Sequence, residues 1–205
     1  MSIVFYSAPW SSSSPVEVAL HELDVPHETV RFDLSKGDQK KPEFLALNPN
    51  GKVPTLVVDG TPMFEALAIQ IWLGERYGVE KGLWPAATDP ARLAAVSWCS
   101  WGYVSYAMRL GLLAYATSER LPECRNKAQE AVARKELDGM LAILEERLGQ
   151  QKYMLGAKFS LVDHVVASVI GYGVHVGAGV DAFPRVKAWL QEFQARPASR
   201  AVLQG

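Results

Sequence analysis

The hydrophobic pattern of this chain changes period once, and that change limits the folds open to it. Up to about residue 78 the apolar residues gather in short strand-like runs: Ile3 to Tyr6, His27 to Asp33, Val53 to Val58 and Thr61 to Phe64. Short runs rich in β-branched and aromatic residues, bounded by turn residues, read as strands. Beyond residue 90 such runs largely vanish, and apolar residues return every three or four positions, the spacing of helices that bury one face. The chain therefore reads as a mixed α/β half followed by an all-helical half.

Local signals give the order of elements. Ser14, Pro15 and Glu17 form an N-cap, a first-turn proline and a capping-box partner, so a helix is expected over Pro15 to Leu23. Lys36 to Ala46 is polar and partly helical in pattern. Asp59-Gly60 suits a tight hairpin turn, and Glu65 to Tyr77 has helical spacing that Gly78 stops. The resulting order, β-α-β-(α)-β-β-α, requires parallel pairing early and antiparallel pairing late, which means a mixed sheet with helices packed on it. Residues 80–90 hold two prolines and end in a second cap, Asp89 with Pro90, and are expected to link a first domain, 1–79, to a second, 91–205. In the second domain helices are expected over Ala91 to Thr117, Glu123 to Leu148, Ser160 to Tyr172 and Phe183 to Ala195. Ser160 and Asp163 should cap the third of these.

Composition removes several classes of function. The net charge is −1, and no basic cluster exceeds Lys40-Lys41, so nucleic acid and membrane surfaces find no electrostatic footing. No apolar stretch approaches the roughly 18 residues that a spanning helix needs, and the N-terminus lacks the basic leader and apolar run of a signal peptide. Cys99 and Cys124 form neither a disulfide framework nor a CxxC pair, which suits a reducing cytoplasm. The histidines His21, His27, His164 and His175 lack the spacing of metal ligands, so no metal is expected.

Four motifs in order carry a resemblance. Asn48-Pro49-Asn50-Gly51-Lys52-Val53-Pro54-Thr55-Leu56, followed by Phe64-Glu65-Ala66-Leu67-Ala68-Ile69, resembles the signature of the glutathione transferases. Phe159 to Asp163 resembles the capping motif of that family's helical domain, and Phe183 to Trp189 with Arg196-Pro197 resembles its closing helix. The resemblance implies a thioredoxin-like N-terminal domain that binds glutathione and an all-α C-terminal domain that contributes the pocket for a hydrophobic electrophile. It also implies a homodimer.

The same resemblance suggests site residues. A cis Val53-Pro54 bond would turn the Val53 backbone outward, where its N–H and C=O could pair with the cysteinyl part of glutathione like an added strand. Glu65 stands at a helix start, where free N–H groups favour a carboxylate, and would meet the γ-glutamyl end. Ala66 stands where the family usually has serine; one hydroxyl donor to that carboxylate is missing, and the expected cost is about ten-fold in affinity or more. Gln39, Lys40 and Lys52 are candidates for the glycyl carboxylate.

A hydroxyl near a helix N-terminus stabilises a thiolate, and Ser11 to Ser14 offer four. Counting from the first strand points to Ser11; matching through Pro9 points to Ser12; Ser14 is explained as the N-cap. Tyr6 reads as a core or interface residue. No cysteine lies in 7–14, which argues against mixed-disulfide chemistry and leaves glutathione as the nucleophile. Trp101, Tyr103 and Tyr106 are the candidates for the electrophile pocket. Two other readings are a non-catalytic binding or stress-regulatory protein on the same fold, and a glutathione-dependent isomerase.

Overall fold

The computed structural model describes residues 1–203, which form two compact units, 1–87 together with the chain from Arg196 onward, and Thr88–Ala195. The first unit is built on a four-stranded sheet of order β2-β1-β3-β4. Its strands are β1 (Ile3–Ser7), β2 (Glu28–Arg31), β3 (Thr55–Val58) and β4 (Thr61–Phe64). Strands β1 and β2 are parallel, joined through helix α1 (Ser14–Glu22); β3 runs antiparallel to both β1 and β4. This is the mixed sheet that the element order requires. Asp59 and Gly60 both have positive φ, 46° and 84°, the backbone of a type I′ turn whose twist matches a hairpin. Pro62 is tolerated because β4 is an edge strand.

Register places three chain segments at one end of the sheet. Tyr6 pairs with Thr55, and Thr55 pairs with Phe64. The chain leaving β1, the chain entering β3 and the chain leaving β4 therefore emerge side by side. Around them Ala8, Phe44 and Val53 form a small buried cluster, with Tyr6, Phe32 and Leu47 packed against it. Tyr6 sits 5.6 Å from Phe32 and 5.4 Å from Phe44, between ring centroids, which agrees with a packing role.

The segment after β2 is mostly short turns, Leu34–Lys36 and Asp38–Lys40, before the one-turn helix α2 (Pro42–Leu45). Helix α3 (Ala66–Leu73) continues as a π-helical turn, Gly74–Gly78. The closing helix α9 (Pro197–Leu203) belongs to this first unit: it packs on α1, and Arg196 pairs with Glu22.

The second unit is helical: α4 (Ala91–Ser100), α5 (Ala107–Ala116), α6 (Lys127–Gln150), α7 (Leu161–His175) and α8 (Pro184–Gln194). The expected single helix from Ala91 is interrupted by a π-helical segment, Trp101–Tyr106, between α4 and α5. Asp89 caps α4, its carboxylate accepting from the Ala91 N–H at 2.8 Å.

Ser160 and Asp163 form the capping box at α7 that the motif predicts. The Asp163 carboxylate is fully buried and accepts from Met154 N at 2.7 Å, Ser160 N at 2.9 Å, Ser160 Oγ at 2.8 Å and Trp189 Nε1 at 3.0 Å. It thus ties α7 to the loop before it and to α8. Burial raises this carboxyl above its usual range, while the four donors pull the other way.

An Asp163→Asn substitution puts an amide N–H against donor groups. It is expected to lower the free energy of unfolding of the full chain by about 2–3 kcal/mol in urea titrations, without changing the far-ultraviolet dichroism of the native state.

Candidate functional site

The end of the sheet where β1, β3 and β4 release their chains gathers most of the candidate residues. The turn before β3 is shaped from inside by Asn48, which is buried. Its carboxamide donates to the Lys52 carbonyl at 2.8 Å and to Thr55 Oγ1 at 3.0 Å, while its oxygen accepts from Asn50 N at 3.1 Å. Gly51 is required for a different reason. Its φ is +56°, and a Cβ there would lie 2.9 Å from both the Gln39 carbonyl oxygen and Lys40 Nζ. The turn and the Asp38–Lys40 segment are therefore pressed together, which brings Gln39, Lys40, Lys52 and Val53 into one neighbourhood. The sequence reading gave neither Asn48 nor Gly51 a role, although an Asn-Pro-Asn-Gly run is a turn signal in itself.

The Val53-Pro54 bond is cis, as expected. Lys40 and Lys52 are exposed, and Gln39 is half-buried with its amide nitrogen 3.4 Å from the Leu34 carbonyl, a weak contact.

Glu65 is exposed and holds φ +72°, ψ 115°, a backbone that a non-glycine residue adopts only at some cost. It is the cap residue of α3, with no side-chain hydrogen bond to the helix. Behind it, Ala66 is buried, and the first α3 hydrogen bond back to Glu65 comes from Ile69 N. The N–H groups of residues 66 to 68 precede that bond and make up the open end of the helix.

The serine run divides into distinct roles. Helix α1 starts at Ser14, with Ser13 as its cap residue, one position earlier than the capping-box reading. The Ser13 hydroxyl does not cap the helix: it donates to the Ala8 carbonyl at 3.0 Å and accepts from Ala8 N at 3.1 Å, fully buried. Glu17, the expected box partner, instead pairs with Arg31. The Ser11 hydroxyl joins the same knot, 2.7 Å from the Ala8 carbonyl and 2.6 Å from Ser13 Oγ. Ser12 is exposed and reaches across the sheet end. Its Oγ donates to the Val53 carbonyl at 3.0 Å, forty-one residues away in sequence. Of the two candidate serines, the structure brings Ser12 to Val53 and ties Ser11 into its own turn.

Next to this loop lies an open cavity of about 350 Å³, lined by Ala8, Pro9, Phe32, Asp33, Leu34 and Ser35. The Ser35 hydroxyl, then Lys36, hold the Asp33 carboxyl down at about 2, so it stays ionised at neutral pH, with Lys36 Nζ paired to it at 3.1 Å.

The aromatic candidates of the second unit are less uniform than their spacing suggests. Trp101 and Tyr103 are half-buried, but Tyr106 is fully buried. Its hydroxyl would lie 2.9 Å from a Cβ on Gly173, so Tyr106 fills the interior of the helical unit and is a core side chain instead of a pocket wall. Burial accordingly pushes its hydroxyl pKa well up. No group of three or more potential metal ligands occurs among the described residues. No described helix is long and apolar enough to cross a membrane.

Comparison with known proteins places this geometry in context. Residues 10–76 match the family described as "Glutathione S-transferase, N-terminal domain", and residues 103–197 match "Glutathione S-transferase, C-terminal domain". Among curated proteins, glutathione S-transferase GstB of Escherichia coli K12 is 33% identical, with 92% of this chain and 90% of that protein covered. Disulfide-bond oxidoreductase YfcG of the same strain is 26% identical over 98% of this chain and 94% of its own length. Among solved structures, a sphingomonad glutathione S-transferase complexed with glutathione has a TM-score of 0.83 and 26% identity, covering 98% of this chain and 97% of that one.

The two thiols provide a check on the site. Cys99 is buried in the helical unit, and burial pushes its pKa up to about 12; Cys124 is partly exposed. A thiol is nucleophilic only as thiolate. Ellman titration of the native chain at pH 8 is expected to label Cys124 alone, with Cys99 reacting only after denaturation.

Proposed function

This chain belongs to the glutathione S-transferase family, and from that premise we propose that it binds glutathione across the sheet end and activates its thiol for attack on a hydrophobic electrophile. The observation that carries the reading is the Ser12–Val53 contact. It joins a hydroxyl donor at the α1 end of the serine loop to the backbone that would hold the cysteinyl residue.

In this arrangement the Val53 N–H and C=O pair with the cysteinyl backbone, and glutathione lies as a short added strand. The γ-glutamyl carboxylate meets the open N–H groups at the start of α3, while Glu65 takes the α-ammonium group. The strained Glu65 backbone is consistent with a residue held for a ligand. With alanine at position 66 the carboxylate has backbone donors but no hydroxyl. Lys40 and Lys52 flank the other end, next to Gly51, and suit the glycyl carboxylate.

Ser12 has a choice of partners: its hydroxyl rotates from the Val53 carbonyl to the sulfur once the cysteinyl N–H takes that carbonyl. A hydrogen bond to the thiolate favours the charged form and lowers its pKa. The thiol proton leaves to solvent, the sulfur lone pair forms the new C–S bond, and the electrophile either expels a leaving group with the displaced electron pair or takes up a proton after addition. Glutathione is the nucleophile throughout, because no cysteine of this chain lies at the site. That also separates the reading from protein-thiol disulfide exchange.

Two copies of the chain are proposed to associate through the outer face of α4 and α5. Leu93, Val104, Met108, Leu112 and Tyr115 are exposed at helical spacing along it. From Ala91 to Ala116 the only charged residues are Arg92 and Arg109, and Arg109 pairs with Glu136 of α6. A surface helix that is apolar on its outer as well as its inner face is stable in water when something covers it.

Two experiments follow. Ser12→Ala should lower kcat/KM for conjugation about 100-fold, and Ser11→Ala should cost thermal stability while leaving kcat/KM within a few-fold; equal activity of Ser12→Ala and wild type overturns the assignment. Met108→Glu should convert a dimer to monomer in sedimentation velocity, and a wild-type chain that sediments as a monomer removes the proposed association.

A further inference from the structure

The Glu17 carboxylate is a buried charge in the first turn of α1, the helix into which the serine run leads. Only 9% of its side chain is exposed. Its backbone N–H donates to the Ser13 carbonyl at 3.0 Å, so it lies one turn beyond the serine knot. Arg31, the last residue of β2, neutralises it from the sheet. One guanidinium N–H meets Glu17 Oε2 at 3.2 Å and a second meets Oε1, a two-pronged pair that fixes both side chains. Register places Arg31 beside Ser7, the residue before Ala8, and Phe32 N donates to the Ser7 carbonyl at 2.8 Å. The pair therefore joins the end of β2 to α1 at the level where β1 hands the chain to Ser11, Ser12 and Ser13.

A carboxylate in a first turn ordinarily favours its helix. Here the same helix end would also favour a thiolate, and two neighbouring anions oppose each other's ionisation. The helix has few donors to share between them: Ser14 N–H is taken by the Ser11 carbonyl, and Pro15 has none. At about 1.5 Å of rise per residue, Ser12 and Glu17 are about 8 Å apart along the chain. That is within the range over which a poorly solvated charge is felt with little screening by salt. The other elements packed on α1 bring no cation to pair with this turn. Helix α3 carries no charged side chain between Ala66 and Leu73. The chain around α9 brings Arg196, engaged by Glu22 in the last turn of α1, and Arg200, which forms no ion pair among the described residues. On the groove side Lys40, Lys52 and Glu65 are exposed, and solvent weakens their fields. Among the described residues Arg31 is the one cation paired with Glu17.

We propose that Arg31 is a positioning residue for the reaction: by pairing with Glu17 it keeps the start of α1 free of uncompensated negative charge, so that the sulfur beside Ser12 is held as thiolate. Arg31 acts through Glu17, not by contact with the sulfur, and no proton passes between the pair and the thiol. This rests on the reading that glutathione sulfur lies beside Ser12 and Val53. Ser12 then supplies the hydrogen bond to the thiolate, and the Glu17–Arg31 pair sets the charge of the helix end behind it.

Thiolate absorbance of bound glutathione, titrated against pH on four full-length chains, tests this without requiring turnover. Arg31→Gln should raise the bound thiol pKa by about one pH unit, the size expected for a unit charge about 8–10 Å away at an effective dielectric constant of about 20. Glu17→Gln should lower it below wild type, and the double variant Glu17→Gln/Arg31→Gln should return it to about the wild-type value. Lost packing alone does not shift the two single variants in opposite directions and cancel in the double. If Arg31→Gln does not fold, Glu17→Gln below wild type with the double variant at wild type carries the test. Equal thiol pKa values in wild type and Glu17→Gln, or shifts of the same sign in both single variants, overturn the role of Arg31 while glutathione binding stands. If wild type leaves the thiol pKa at its value in free glutathione, the thiolate reading fails and this inference falls with it.

Discussion

The buried carboxamide of Asn48 decides where β3 begins, and the site depends on that start. By donating to the Lys52 carbonyl and Thr55 Oγ1 it fixes the turn that delivers Val53 and Pro54 to the sheet end. Thr55 is in turn the middle member of the row Tyr6–Thr55–Phe64. Through that row the β1 exit, the β3 entry and the β4 exit share one edge, and with them the serine loop, Val53 and Glu65. A buried amide left without these partners would cost about 1–3 kcal/mol in desolvation. The polar clamp therefore serves stability and placement together.

Competition among adjacent hydroxyls explains how one serine comes to face the groove. Ser13 and Ser11 satisfy the backbone of Ala8 at the tight exit from β1, a demand set by the buried chain there. Once both are engaged, Ser12 is left on the opposite side of the turn and meets Val53. The same tight exit forces Trp10 into positive φ and pushes its indole into solvent. Strain, a stabilising knot and a proposed reactive hydroxyl are consequences of one four-residue geometry.

Much of this was legible in the residues. The runs around β1, β3 and β4, the Asp59-Gly60 hairpin and the Ser160–Asp163 cap rest on local signals, and the structure follows them closely. The serine run was not legible, because the direction of each hydroxyl is set by a long-range partner, Val53, and by a backbone need at Ala8. Spacing carries neither. Tyr106 shows the same limit: aromatic residues at helical spacing face the core or the surface according to what packs on them, and here Gly173 leaves room for the ring inside. The π-helical segment Trp101–Tyr106 added a further shift in phase that a uniform period of 3.6 does not anticipate.

The central claim is that the sheet end stabilises glutathione as a thiolate. Difference ultraviolet titration of glutathione bound to the wild-type chain reads this directly through thiolate absorbance against pH. The account predicts a thiol pKa clearly below that of free glutathione under the same conditions. Saturable binding with a thiol pKa equal to that of the free tripeptide would contradict it.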